Sequence, residues 1–204
     1  MNVWYVSYGS NICEDRFLCY IYGGAPEGSN QAEAGCSDKT PPKSTGIAEL
    51  PYKLYFAKEE SKWGKGGVAF IDHEKNTESK TFARKYLITA EQFTGVVEQE
   101  NNAKCLTIDV NKIINNGYLD ITAGWYGRLI YLGDNAGSPM MTFTDTKDMK
   151  RQIITPPPTS YLTTVARGLK ELGLTKEEII DYFLTTKGIE SFFTRDSLYQ
   201  YMFN

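Results

Sequence analysis

The chain has 204 residues, 41% of them apolar, with 14 Tyr, 10 Phe and 3 Trp, which suffices for one domain with a real core, with room for an appended subdomain, and argues against a disordered chain. Its 22 basic and 25 acidic residues are mixed along the sequence and leave a net charge of −3, so no nucleic-acid footprint is present. No run approaches the roughly 18 to 20 apolar residues of a membrane span, and MNVWYVSY lacks the basic start and apolar block of a signal peptide, so a cytoplasmic protein is expected.

Val3 to Tyr8 is apolar at nearly every position and predicts a strand covered on both faces, hence a central one. Tyr8-Gly9-Ser10-Asn11 is turn chemistry, and ICEDRFLCYI after it reads as a helix. From Tyr22 to Thr45 the sequence is rich in Gly, Ser, Pro and acids without period, which predicts a long exposed loop; loops beyond about 12 to 15 residues tend to be mobile, functional or both. Strand-like runs follow at Ile47 to Ala57, Gly67 to Asp72, Thr81 to Ile88, Lys104 to Val110, Arg128 to Leu132 and Met140 to Phe143.

After Pro156-Pro157-Pro158 helices dominate. Thr159 or Ser160 caps a helix carrying Leu162, Val165, Leu169 and Leu172, with Gly173 past its end. Thr175 and Glu178 form a capping box for a second helix closed by Gly188, and a last short helix is expected near Asp196 to Met202. The chain thus divides into a β-rich domain over 1–155 and a helical C-terminal segment, 156–204, expected to pack on it.

Between these regions lies LITAEQFTGVVEQE, residues 87 to 100. Thr89 and Gln92 make a capping-box pattern, so a helix starts at Ala90. Phe93, Val96 and Val97 fill the i, i+3 and i+4 positions of one face, and the i+7 position is Glu100. At about 100° per residue Glu100 returns to within roughly 20° of Phe93, whereas Glu98 points about 140° away, toward water. Burial tunes a carboxylate toward general-base work near neutral pH. The alternative is that Glu100, in the last turn, frays into solvent or pairs with Lys104.

The Tyr8 to Asn11 turn also has two readings. A Gly-Ser-Asn turn into a helix presents backbone N–H groups to an anion. The plainer reading makes Ser10 or Asn11 an N-cap, with Gly9 allowing the turn. The four cysteines, Cys13, Cys19, Cys36 and Cys105, form no C-x-x-C pair and accompany a single His73, so neither a zinc framework nor a redox pair is indicated.

In their order these stretches resemble the γ-glutamyl cyclotransferase family. The residues that carry the resemblance are Trp4-Tyr5-Val6-Ser7-Tyr8-Gly9-Ser10-Asn11, then Gly66-Gly67-Val68-Ala69, then Glu98-Gln99-Glu100, then Pro156-Pro157-Pro158-Thr159-Ser160-Tyr161, with Arg16 matching the arginine of the family's first helix. The resemblance covers most of residues 1 to 175. It implies an α+β fold, a small mixed β-barrel with flanking helices. It also implies that Glu100 is the catalytic acid/base and that Tyr5, Val6, Ser7, Tyr8, Gly9 and Ser10, with Met141 and Tyr161, contact substrate. The implied reaction turns a γ-glutamyl group into 5-oxoproline and releases an amino acid or amine. No metal or organic cofactor is called for, and the partners expected are the small-molecule substrate and a second copy of the chain.

Three features depart from the pattern: the long Tyr22 to Thr45 loop, a lid or specificity element; Pro139, where the family often carries a tyrosine; and Thr186 to Asn204, which has no counterpart. They leave room for a binding module that uses the same pocket without turnover. A serine hydrolase built on Ser10 and His73 is disfavoured, because no G-x-S-x-G elbow is present and His73 reads as a strand-end surface residue.

Overall fold

The computed structural model describes residues 1–25 and 32–203. The chain is α+β. Strand β1 (Asn2–Ser7) leads through a 3-10 turn (Ser10–Ile12) into helix α1 (Glu14–Tyr22). Strands β2 (Ser44–Leu50), β3 (Tyr52–Ala57), β4 (Glu60–Ser61), β5 (Gly64–Lys65), β6 (Val68–Lys75) and β7 (Thr81–Thr89) come next. Then follow α2 (Ala90–Glu100), α3 (Val110–Asn116), β8 (Tyr118–Asp120), β9 (Arg128–Asn135) and β10 (Ser138–Thr144). A 3-10 turn at Met149–Arg151 precedes α4 (Thr159–Glu171), α5 (Lys176–Leu184) and α6 (Arg195–Phe203). Among the described residues no helix is long and apolar enough to cross a membrane.

The strands form a six-stranded mixed sheet, ordered β2-β7-β1-β10-β9-β8, and two two-stranded ribbons, β3-β6 and β4-β5. As its apolar run predicts, β1 is internal: it pairs antiparallel with β7 and parallel with β10. Two compact units emerge, interleaved along the chain. One comprises Met1–Ser7, Asp15–Ala48 and Arg84–Thr146; the other comprises Tyr8–Glu14, Glu49–Ala83 and Lys147–Asn204.

In the first unit, α1 and α2 cover one face of the sheet. Val3 and Tyr5 of β1, Tyr86 and Ile88 of β7, and Met141 and Phe143 of β10 meet Phe17, Tyr20 and Ile21 of α1 and Phe93, Val96 and Val97 of α2. Phe17 and Tyr86 stack with ring centroids 3.8 Å apart, and Tyr5 lies 5.3 Å from Phe143. The second unit is built on the β3-β6 ribbon and the three C-terminal helices. The tail without a family counterpart is part of it: Phe56 N–H donates to Lys187 O (2.9 Å), Leu198 is buried, and the Tyr201 hydroxyl donates to Pro157 O (3.1 Å).

Several boundaries differ from the sequence expectation. The run Ile47 to Ala57 is two strands, divided at Pro51, which has no N–H for a ladder. Thr159 lies inside α4, whose N-cap is Pro158, and α5 ends at Leu184 with Thr185 as C-cap, before Gly188. The expected strand over Lys104 to Val110 is absent: residues 104–109 are irregular and Val110 opens α3. Asp109 caps that helix by accepting from Lys112 N–H (3.1 Å), and Gly117, at φ +80°, ends it. Of the long loop, residues 26–31 lie outside the described residues, so its proposed role as a lid falls partly there. Its described part is held down. Cys36 is buried, its N–H donates to Ile21 O (3.0 Å), and Gly24 and Glu33 exchange backbone hydrogen bonds.

The stack beneath β1 dominates the first unit's core. Phe17→Ala should therefore lower the free energy of unfolding by about 3–5 kcal/mol, read from urea denaturation followed by far-UV circular dichroism.

Candidate functional site

In the first unit the three residues of the E-Q-E triplet have separate tasks, set by the phase of α2. That phase starts where the sequence places it: the Thr89 hydroxyl accepts from Gln92 N–H (3.0 Å) and Gln92 Oε1 accepts from Thr89 N–H (3.0 Å). Glu98, expected from its phase to face water, is half-buried like Glu100 and accepts from Leu106 N–H (2.7 Å), holding the segment that enters α3. Gln99 clamps the loop: its Oε1 accepts from Gly35 N–H (2.9 Å), and its Nε2 donates to Tyr20 O (3.0 Å). Glu100 is half-buried and turned toward α1, where the Tyr20 hydroxyl hydrogen-bonds to it and the Arg16 guanidinium lies close enough to interact.

Arg16 and Tyr20, one helical turn apart, are 1% and 0% exposed. Arg16 Nη2 donates to the Tyr20 hydroxyl (2.8 Å) and to Glu33 Oε1 (2.5 Å), and the guanidinium lies 4.5 Å from the Tyr20 ring centroid. Burial above all, and then the Glu100 carboxylate, pushes the Tyr20 hydroxyl well above its ordinary pKa, so it stays a donor. Burial pulls the Arg16 guanidinium down, but Tyr20, Glu100 and Glu33 together outweigh it and the net shift is upward. The structure thus gives Glu100 polar, charged company in place of an apolar pocket. The sequence reading took Arg16 only from the family resemblance and missed Tyr20; the phase argument used for Glu100, applied to α1, marks Arg16 as a charge on the face that Phe17, Tyr20 and Ile21 bury. Glu33, within the loop, carries no such signal.

An open cleft of about 680 Å³ lies beside α2, lined by Glu33, Gly35 and Cys36 of the loop and by Glu91, Gly95 and Glu98 of the helix, among others. None of the site residues read from the sequence lines it; Glu33 alone belongs both to the cleft and to the Arg16 cluster. The Tyr5, Val6 and Met141 side chains, also in the first unit, are buried in strands β1 and β10, where Tyr5 pairs in register with Met141. Ser7, at the end of β1, is buried and stands in register with Arg84 of β7.

Tyr8, Gly9, Ser10 and Tyr161 belong to the second unit. The turn is a single 3-10 turn in which Ile12 N–H donates to Gly9 O and Cys13 N–H to Ser10 O. Gly9 is its N-cap and no side chain caps it, so the capping role expected of Ser10 or Asn11 is not filled. Gly9 has an ordinary φ of −107°, and space explains the glycine: a Cβ there would stand 2.8 Å from the Tyr161 hydroxyl. That hydroxyl accepts from Ala69 N–H (3.1 Å). A Cβ on Gly66 would meet Pro156 O at 2.6 Å, and Gly67 N–H donates to the same carbonyl. Three of the sequence motifs, YGSN, GGVA and PPPTSY, therefore converge because they pack on one another. His73 lies within strand β6 and is half-buried, where the sequence suggests a surface turn.

No protein-family model matches the chain. A segment of histone deacetylase 5 from Arabidopsis thaliana is 37% identical over 199 residues, which cover 89% of this chain and 30% of that protein, so the chain spans about a third of the curated relative it matches. Two solved structures share its fold. A γ-glutamyl cyclotransferase superposes with a TM-score of 0.53 at 17% identity, over 89% of this chain and 86% of the other. An uncharacterised protein from Homo sapiens gives 0.51 at 17% identity over the same shares. The chain has the γ-glutamyl cyclotransferase fold.

The contact between Gly9 and Tyr161 sets a stability test. Gly9→Ala should cost about 1–3 kcal/mol by crowding the phenol. Tyr161→Phe removes the obstructing oxygen, so the double variant should lose clearly less than the sum of the two single losses in a denaturant-based mutant cycle.

Proposed function

We propose that the chain is a γ-glutamyl cyclotransferase that uses Glu100 as its acid/base. The observation that carries this reading is the placement of Glu100: its carboxylate interacts with the buried Arg16 and Tyr20 side chains, in a chain with the cyclotransferase fold. The chemistry asks little of a protein beyond position and one proton carrier. Glu100 takes a proton from the substrate's α-ammonium, and the freed amine attacks its own γ-carbonyl carbon. The new C–N bond closes a five-membered ring, the old C–N bond to the leaving group breaks as Glu100 returns its proton to the departing amine, and the second proton of the ring nitrogen is lost to that amine, leaving a neutral lactam and an ammonium. Orienting amine and carbonyl within one molecule can contribute about 7–11 kcal/mol in well-aligned cases.

In this reading the β1 and β10 residues that the resemblance assigns to the substrate act from the first unit, the unit that carries Glu100. Tyr5, Val6 and Met141 contribute through the backbone, since their side chains belong to the core. Deacetylation, the reaction in the name of the Arabidopsis protein, has weaker support, because the matching segment is 30% of that protein.

The test is to incubate the protein with γ-glutamyl amino acids, γ-glutamyl amines and glutathione and to measure 5-oxoproline. Product is expected from at least one class. Glu100→Gln should reduce it by about a hundred- to ten-thousandfold with an unchanged circular dichroism spectrum. Binding without product from any compound would instead assign the chain to ligand binding without turnover.

A further inference from the structure

Glu100 is the last residue of α2, and a helix end is where a side chain is held least. The final carbonyls of a helix lack N–H partners within it, and unwinding by one residue swings a side chain through about 100°. Here the chain leaves the helix at once, with Asn102 in the left-handed region at φ +48°. The residue between them ties the end down. Asn101 is the C-cap, and its backbone N–H donates to Val97 O (3.1 Å). Its side-chain Nδ2 donates to the same carbonyl (2.9 Å) and to Tyr126 O (3.1 Å). Both acceptors are carbonyls, so the two protons of the carboxamide are committed, one to the helix and one to the loop over residues 121–127.

That loop is a firm anchor. Ile121 N–H donates to Gly127 O (2.9 Å), Gly127 N–H to Gly124 O (3.2 Å) and Gly124 N–H to Thr122 Oγ1 (2.6 Å). The Tyr126 ring meets Phe143 of β10 edge-on, with centroids 5.5 Å apart. Gly124 leaves room for the carboxamide, since a Cβ there would stand 2.5 Å from Asn101 Oδ1. All these residues belong to the first unit. Capping the helix alone would need only the bond to Val97 O; the bond to Tyr126 O fixes the end of α2 relative to the sheet.

Resting on the reading of Glu100 as the base, we infer that Asn101 is a positioning residue, which pins the last turn of α2 to the 121–127 loop and so keeps Glu100 from fraying out of its place. Asn101 touches no substrate in this scheme and acts through the backbone it shares with Glu100.

Kinetics and amide hydrogen exchange test this together. Asn101→Ala should lower kcat for 5-oxoproline release by about ten- to a hundredfold, the effect of a displaced reacting group, while KM moves less than about threefold. Added to Glu100→Gln it should cost nothing further, because the positioned group is already gone. Gly124→Ala, which drives a methyl against Oδ1, should reproduce the fall in kcat, and joining it to Asn101→Ala should make the enzyme no slower than Asn101→Ala alone. Exchange at the amides of residue 101 and Ala103, which donate to Val97 O and Glu98 O, should speed up by about tenfold or more in Asn101→Ala while the first turn of α2 keeps its rates. Unchanged kcat in Asn101→Ala overturns the inference even if that variant is less stable, and so does a loss that persists in full on the Glu100→Gln background. If the wild type makes no 5-oxoproline, or Glu100→Gln retains full activity, it is the reading of Glu100 as the base that fails. Exchange then decides alone whether Asn101 holds the helix end: faster exchange upholds that hold, and unchanged rates remove it.

Discussion

The first turn of α2 is the constraint on which the rest of the first unit depends. Gln92 is 1% exposed, and its side chain joins three elements: it accepts from Thr89 N–H at the end of β7 and donates to Thr40 O (2.7 Å) and Asp38 O (3.2 Å) in the loop. An uncompensated carboxamide at that depth would be costly, so the helix has one place to begin. Each residue of slippage turns a helix by about 100°. A start one residue later would carry Phe93, Val96 and Val97 off the sheet and Glu100 away from Arg16 and Tyr20.

With the phase fixed, neighbouring residues divide the work by direction. Glu98 reaches toward α3, Gln99 toward the loop and Glu100 toward α1. Two of the three are structural, and they are the two that hold the surroundings of the third. Gln99 is the instructive case. It binds the loop at Gly35, two residues from Glu33, and binds Tyr20 through its carbonyl, so one side chain ties together the backbones that deliver the Arg16 cluster.

What could be read from the sequence follows the range of the interactions. The capping boxes at Thr89–Gln92 and Thr175–Glu178 are local and appear as written. So does β1, whose unbroken apolar run needs cover on both faces. The inward phase of Glu100 is a matter of one helix and its period. Helix α3 was hidden because seven residues hold too few turns to separate Val110, Ile113 and Ile114 from a strand run. The partnership of Glu33 with Arg16 spans a loop without periodicity, and nothing local marks it. The motifs that carried the family resemblance proved legible for a mixed reason: Gly9, Gly66 and Tyr161 record where backbone must approach backbone or phenol as much as where a ligand could sit.

Cys36 gives the loop an inherent clock. Its single S–H is shared between Tyr20 O (3.3 Å) and Gln92 O (3.5 Å), and the sulfur fills the space that a Cβ on Gly95 would invade at 2.9 Å. Burial first, and then the carboxylates of Asp38, Glu91 and Glu98, pushes the thiol up to about 11. Thiolate, the reactive form, is scarce in that setting, whereas Cys105 stands exposed. An electrophile should therefore consume Cys105 early and reach Cys36 only when residues 32–37 lift from α2. A slow alkylation at Cys36, told apart by mass from that of the equally buried Cys13, would measure how firmly those residues are held.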